Sequence, residues 1–280
     1  MVVTLVACLP QASPEPTPTA TATSARPRFK LATYMYALQT KGKIRIAALD
    51  KDVPFAVRNS SGMRVGFEVD LGRELARAIF GPQRDIESVI EWVSVDRSTA
   101  VTSVTSVQAD VVIARLAVIP ESAAVIDLSD PYFITGERIL VKSTNDEIKN
   151  LADLDTKTVC VQLGSGVEVH LAEANDSART LALDTYASCV GALRAGQADA
   201  IGANEPILWD LVRENPDTRL VGEPLATARY AIGVKKNTGD RQGFLPFLNT
   251  WLAGAIRDGT WRRLYAQHIT PLSKDTKTSP

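Results

Sequence analysis

Short apolar runs alternate along the chain with longer segments in which apolar residues return every three or four positions. Ile44 to Ala48 reads as a strand and Glu68 to Phe80 as an amphipathic helix. Further strands are expected at Ile90 to Val95, Val111 to Ala114, Ile139 to Lys142, Thr158 to Gln162, Ala200 to Ala203 and Ala231 to Lys235. Helices fall between them, at Ser98 to Val107, Val167 to Glu173, Tyr186 to Ala195, Glu205 to Glu214 and Leu245 to Asp258. Alternation of this kind favours mostly parallel sheets covered by helices.

The chain has 280 residues, 45% hydrophobic and 22% charged, which is enough for two modest cores. A net charge of -1 with scattered basic residues leaves no electrostatic footprint for nucleic acid. No stretch reaches the roughly 18 apolar residues of a membrane-spanning helix. His170 and His268 are the two histidines, and no metal-spaced cluster, nucleophile elbow or phosphate loop accompanies them. Neither a cofactor nor a metal is expected.

The N-terminus differs in composition from the rest. Leu5-Val6-Ala7-Cys8 matches the run that lipoprotein signal peptidase cuts before a cysteine that is then diacylated. Residues 1–8 thus read as a truncated signal, too short for a charged region and roughly 7 to 15 apolar residues, so the start codon is expected further upstream. The alternative is an incidental cysteine in a frayed terminus. After Cys8 comes a Pro-, Thr- and Ser-rich stretch with little to bury, expected to be a tether over 9–39. Lipid anchoring on the outer face of the cytoplasmic membrane follows from the two together.

From Lys41 onward the chain carries, in order, GFEVDL at Gly66 to Leu71, Gln108-Ala109-Asp110 before VVIA, VIDLSDPYF at Val125 to Phe133, LADL at Leu151 to Leu154, GQADAI at Gly196 to Ile201, RYAIGVKK at Arg229 to Lys236 and DGTWRRLY at Asp258 to Tyr265. In order and spacing these segments resemble the polar amino-acid-binding family of extracytoplasmic solute receptors. The resemblance implies the two-lobed α/β periplasmic-binding-protein fold of type II, with two hinge strands and a ligand cleft between the lobes. Lobe one is expected over 40–134 plus 230–272, lobe two over 135–229, and a disordered tail over 273–280. The implied function is capture of a small polar solute by lobe closure for the membrane subunits of an ABC importer, by a monomer. Segments around Cys160 and Cys189 also resemble an acidic-amino-acid-binding branch that carries a disulfide at these places, and an oxidising compartment favours the pairing. Two buried thiols are the alternative.

The resemblance also exposes departures in the site. Relatives hold the solute's carboxylate with an arginine and a hydroxyl, where this chain has Ser122 and Ala117, and its ammonium with an aspartate, where this chain has Asn204 followed by Glu205. Arg115 either compensates as a planar fork for an anion or is an exposed surface arginine. Gly164-Ser165-Gly166, between a strand and a helix, offers backbone N–H groups to an anionic oxygen. Asp52 stands at an aromatic lid position with Phe55 just beyond. If Asp52 and Glu205 face the cleft they favour a cationic group; if they are solvated loop charges they say nothing. Two other functions remain: a cyclohexadienyl-dehydratase-like enzyme using Glu205 as general acid, and a sensor or scaffold without a ligand.

Overall fold

The computed structural model describes residues 27–82, 85–274 and 276–280. Lobe one opens with helix α1 (Tyr34–Lys41) and strand β1 (Ile44–Ala48), followed by a small antiparallel flap of β2 (Lys51–Asp52), β3 (Ala56–Arg58) and β4 (Arg64–Val65). Helix α2 (Phe67–Phe80), strand β5 (Ile90–Ser94), helix α3 (Ala100–Thr105), strand β6 (Val111–Ala117) and helix α4 (Pro120–Val125) complete its first pass. Strand β7 (Ile126–Lys142) crosses to lobe two. That lobe contains β8 (Thr158–Gln162), α5 (Val167–Ala174), β9 (Arg179–Leu183), α6 (Tyr186–Ala195), β10 (Ala200–Asn204) and α7 (Glu205–Glu214). Strand β11 (Thr218–Lys235) crosses back, and α8 (Phe244–Arg257), α9 (Thr260–His268) and α10 (Thr270–Ser273) end the chain on lobe one.

The strands form one continuous ladder in the order β5-β1-β6-β11-β7-β10-β8-β9. Its outer portions are parallel, β5 with β1 with β6 in lobe one and β10 with β8 with β9 in lobe two. The middle is the antiparallel pair β7 and β11, whose register runs from Ile126↔Lys235 at one end to Lys142↔Thr218 at the other. These two strands therefore belong to both lobes and form the hinge. Their register shifts between Val221 and Ala226 and again near Tyr230, so the ladder is irregular where the lobes join.

Each lobe buries both faces of its sheet, as parallel strands require. In lobe one, Ile44 and Ile46 on one face join Leu71, Leu75, Phe244 and Trp261, while Ala47 on the other joins Val104 and Val112. In lobe two, Cys160 and Ile201 pack on Leu193 and Leu208, and Val159 and Val161 pack on Val167 and Leu171. Helix α2 shows how the pattern dictates this: Phe67, Leu71, Leu75 and Ile79 repeat at four-residue spacing and are all fully buried. Trp209 of α7 is the exception to lobe ownership, because it belongs to the same buried cluster as the lobe-one aromatics. Cys160 and Cys189 are bonded, joining β8 to α6 with Cα atoms 5.5 Å apart.

Three expectations change. Strand β7 begins at Ile126, well before Ile139, because the polar residues that break its apolar pattern serve the crossing; the Ser129 hydroxyl, for example, accepts from the Ile232 N–H at 2.9 Å. The stretch 9–39 does not remain a tether throughout, since α1 lies partly within it and buries Met35 and Leu38. Cys8 and residues 9–26 lie outside the described residues. The tail after 273 also makes a defined contact, the Lys277 ammonium donating to the Ile134 carbonyl of the hinge at 3.1 Å.

Candidate functional site

In open α/β sheets, solutes bind outside the carboxyl ends of parallel strands. Here the ends of β1 and β6 in lobe one face the ends of β8 and β10 in lobe two across the hinge. Of the residues selected from the sequence, Asp52 and Phe55 lie in the flap after β1, Arg115 and Ala117 at the end of β6, Ser122 on α4, Gly164 to Gly166 after β8, Asn204 at the end of β10 and Glu205 just after it.

The lobe-one wall begins at Gly66, which caps α2 with φ 132; a side-chain carbon there would collide with the Phe55 carbonyl oxygen. This close approach lets the Phe67 and Glu68 N–H groups donate to the carbonyls of Pro54 and Phe55 at 3.0 and 2.9 Å. Glu68 is thereby fixed under β6, where its Oε1 accepts from the Arg115 N–H at 2.6 Å and from the Tyr132 hydroxyl. Burial, reinforced by the nearby Asp52 charge, pushes the Glu68 carboxyl up to about 7.

Arg115 is the central residue of this wall. Its φ is 46, a left-handed conformation uncommon for a side chain other than glycine. The guanidinium lies 5.2 Å from the Phe55 ring centroid, and its Nη2 donates to Asp52 Oδ1 at 2.5 Å. The two side chains are 4% and 12% exposed, so this is a buried ion pair and neither half is a surface charge. Burial pushes the Asp52 carboxyl up while Arg115 pulls it back, and Asp210 of α7 adds its negative charge from the opposite lobe. Arg97, 59% exposed, stands 3.8 Å from the same Asp52 oxygen. The Phe55 ring is fully buried against Phe67, Phe133 and Tyr230. It supports the guanidinium and does not reach solvent.

The lobe-two wall holds no arginine or lysine among the residues selected from the sequence. Gly164 and Gly166 both have positive φ, at 72 and 83, which turns the loop after β8 into the start of α5. Ser165 between them is half-buried, with its hydroxyl 3.3 Å from Glu168 Oε2. Asn204 ends β10 opposite Glu137 of the hinge, and its side-chain oxygen is buried without a partner. Glu205 starts α7 and turns to the hinge instead of the cleft: Oε2 accepts from the Thr135 hydroxyl and the Gly136 N–H at 3.0 and 3.1 Å, and Oε1 from Arg138 at 3.3 Å. Nearby, Glu137 and His170 lie 2.8 Å apart.

The structure thus brings Asp52, Phe55 and Arg115 into one cluster, with Ala117 at the end of the same strand and Ser122 buried on α4. Gly164, Ser165, Gly166 and Asn204 belong to the other wall. Two expectations give way: Arg115 is neither a free fork nor exposed, and Glu205 is neither a free cleft acid nor a solvated loop charge. Glu68, Tyr132, Arg138 and Tyr230 were not singled out from the sequence as site groups. A signal for part of this existed, since an arginine inside the apolar run Val111 to Val118 must find a buried counter-charge.

Comparison with known proteins is consistent with this geometry. The model of bacterial extracellular solute-binding proteins, family 3, matches residues 44–271. The L-cystine-binding protein TcyJ of Escherichia coli is 30% identical over 75% of this chain and 76% of its own length. The glutamine-binding protein of Geobacillus stearothermophilus is 28% identical over 72% of this chain and 76% of its own length. Among solved structures, an ancestral cationic amino acid solute-binding protein superposes with a TM-score of 0.69 at 25% identity, covering 84% of this chain and 99% of that one. The same ancestral protein is described as a precursor of cyclohexadienyl dehydratase.

Proposed function

Because the chain belongs to the bacterial extracellular solute-binding proteins of family 3, we propose that its lobes close on a small polar solute, an amino acid or derivative without excess charge, for delivery to the membrane subunits of an ABC importer. The observation that carries this reading is the set of buried polar atoms without partners on the two walls: Asp52 Oδ2, Glu68 Oε2 and Arg115 Nε in lobe one, and Asn204 Oδ1 in lobe two. An unsatisfied buried polar atom costs about 1 to 3 kcal/mol, so a solute that partners them favours the closed form.

Charge bookkeeping sets the kind of solute. Asp52 already has Arg115 and Glu205 already has Arg138. The acidic pair therefore no longer argues for a cation. Ser122 and Asn204 supply no fixed charge to the carboxylate and ammonium of an ordinary α-amino acid, and each missing charged hydrogen bond weakens binding about tenfold to a hundredfold. Calorimetry across the common amino acids should give dissociation constants in the high micromolar range or weaker, of order 10⁻⁴ M. Ser122→Arg with Asn204→Asp should raise those affinities. Nanomolar binding of any common amino acid by the unaltered protein would overturn this site assignment.

The enzymatic reading needs a carboxylic acid free to give a proton to the solute. Glu205, the group it would use, has both oxygens engaged by Thr135, Gly136 and Arg138. Disappearance of prephenate on incubation with the protein would reinstate it. Absence of any thermal shift with amino acids, polyamines and organic acids would favour a sensor or scaffold. Anchoring, as a monomer, is proposed through diacylated Cys8, and Cys8→Ala should release the protein from membranes.

A further inference from the structure

We propose that Arg115 occupies, from within the chain, the place of a guanidinium group of a solute, so that the native cleft excludes guanidinium solutes and Arg115→Gly turns it into a guanidinium receptor. The inference rests on the cleft assignment above and specifies one feature of its selectivity.

Asp52 and Phe55 supply a carboxylate beside an aromatic face, which is the chemistry that recognises a guanidinium. Arg115 fills that place with its Nη2 on Asp52 Oδ1 and its guanidinium carbon over Phe55. The fit is incomplete. Asp52 Oδ2 and Arg115 Nε are both buried without partners, so the pair is joined at one point where a guanidinium and a carboxylate can join at two. A side chain tethered to β6 at a left-handed residue is constrained in how it approaches, and a free guanidinium is not. Glycine suits the backbone at 115 better than arginine does, so Arg115→Gly removes the side chain and relieves the φ of 46 together. Asp52 also lines a groove of about 360 Å³ on lobe one, shared with Asp96 and Arg97, and removing the Arg115 side chain opens the space beside it.

The test measures binding of N-ethylguanidinium and L-arginine by calorimetry and thermal shift to the unaltered protein, R115G, R115A and R115G/D52N. R115A keeps a side-chain carbon at the left-handed position and opens the same space, so the test does not depend on R115G alone. R115G and R115A should bind N-ethylguanidinium at least about tenfold more tightly than the unaltered protein, and R115G/D52N should lose that gain. No gain in either variant, a gain that survives D52N, or tight arginine binding by the unaltered protein would overturn the inference. Failure of the solute-capture reading is distinguishable: the unaltered protein would then bind nothing in the amino-acid panel whatever R115G does.

Discussion

On the lobe-one wall of the cleft the charges are closed on one another. Arg115 meets Asp52, Glu68 accepts from the Arg115 N–H and the Tyr132 hydroxyl, and Phe55 lies beneath the guanidinium. The lobe-two wall is built mainly from the Gly164 to Gly166 turn, Ser165 with Glu168 beside it, and Asn204, while Glu205 turns to Thr135 and Gly136 of the hinge. The two walls therefore hold their shape by different means. Lobe one depends on a buried pair whose members each need the other, and lobe two on backbone turns and a covalent cross-link behind the wall. In the site proposed above, a solute would meet a paired-charge surface on lobe one and the glycine turn with Asn204 on lobe two.

The largest expected effect comes from breaking the lobe-one pair. Asp52→Ala leaves Arg115 buried without a counter-charge and should cost about 3 to 5 kcal/mol in denaturant unfolding. Asn204→Ala on the opposite wall removes a polar atom that already lacks a partner and should cost less than about 1 kcal/mol. Equal losses would erase the distinction between the walls.

Removing the Cys160–Cys189 bond tests the other half. The partners are separated by 29 residues, for which loop-closure entropy gives about 3 to 4 kcal/mol. Hydrogen exchange in Cys160→Ala/Cys189→Ala should quicken in β8 and α6 and leave β1 and β6 unchanged. Uniform quickening in both lobes would show that they unfold as one unit.

A third prediction uses pH. The Glu68 carboxyl titrates at about 7 in the folded protein against an ordinary 4.5, so the folded state holds this proton more tightly. Its contribution to stability is full below about pH 4.5, falls as pH rises through 7 and is then gone, a change on the order of 3 kcal/mol. Glu68→Gln, whose side-chain oxygen can still accept from Arg115 and Tyr132, should flatten the melting temperature between pH 5 and pH 7.5, values spanning the window set by these two pKa values. An unchanged slope would place the titrating group elsewhere. The smallest effect belongs to Arg97→Ala: at 59% exposure and 3.8 Å from Asp52, its loss should change stability by less than about 0.5 kcal/mol.

Much of the fold was legible because its signals are local. The four-residue repeat in Phe67 to Phe80, the apolar runs of β1, β8 and β10, and the ordered segments from GFEVDL to DGTWRRLY each lie within a few consecutive residues. The partnership that organises lobe one was not legible, because Asp52 and Arg115 are 63 residues apart and meet only when the flap folds against β6. Each stands out in the sequence, but no local pattern pairs them. Glu205 escaped for a related reason: its partners Thr135, Gly136 and Arg138 lie on the hinge strand some 70 residues earlier.

Trp209 gives the molecule an optical handle on its own motion. Of the four tryptophans, Trp92, Trp251 and Trp261 lie in lobe one, and Trp209 is carried by α7 of lobe two while packed within the lobe-one aromatic cluster. Any rotation of one lobe against the other must alter the surroundings of that single indole more than those of the other three. The emission of a protein in which the other three are replaced by phenylalanine should therefore follow opening and closing directly, with no attached dye, and would time the motion as well as detect it.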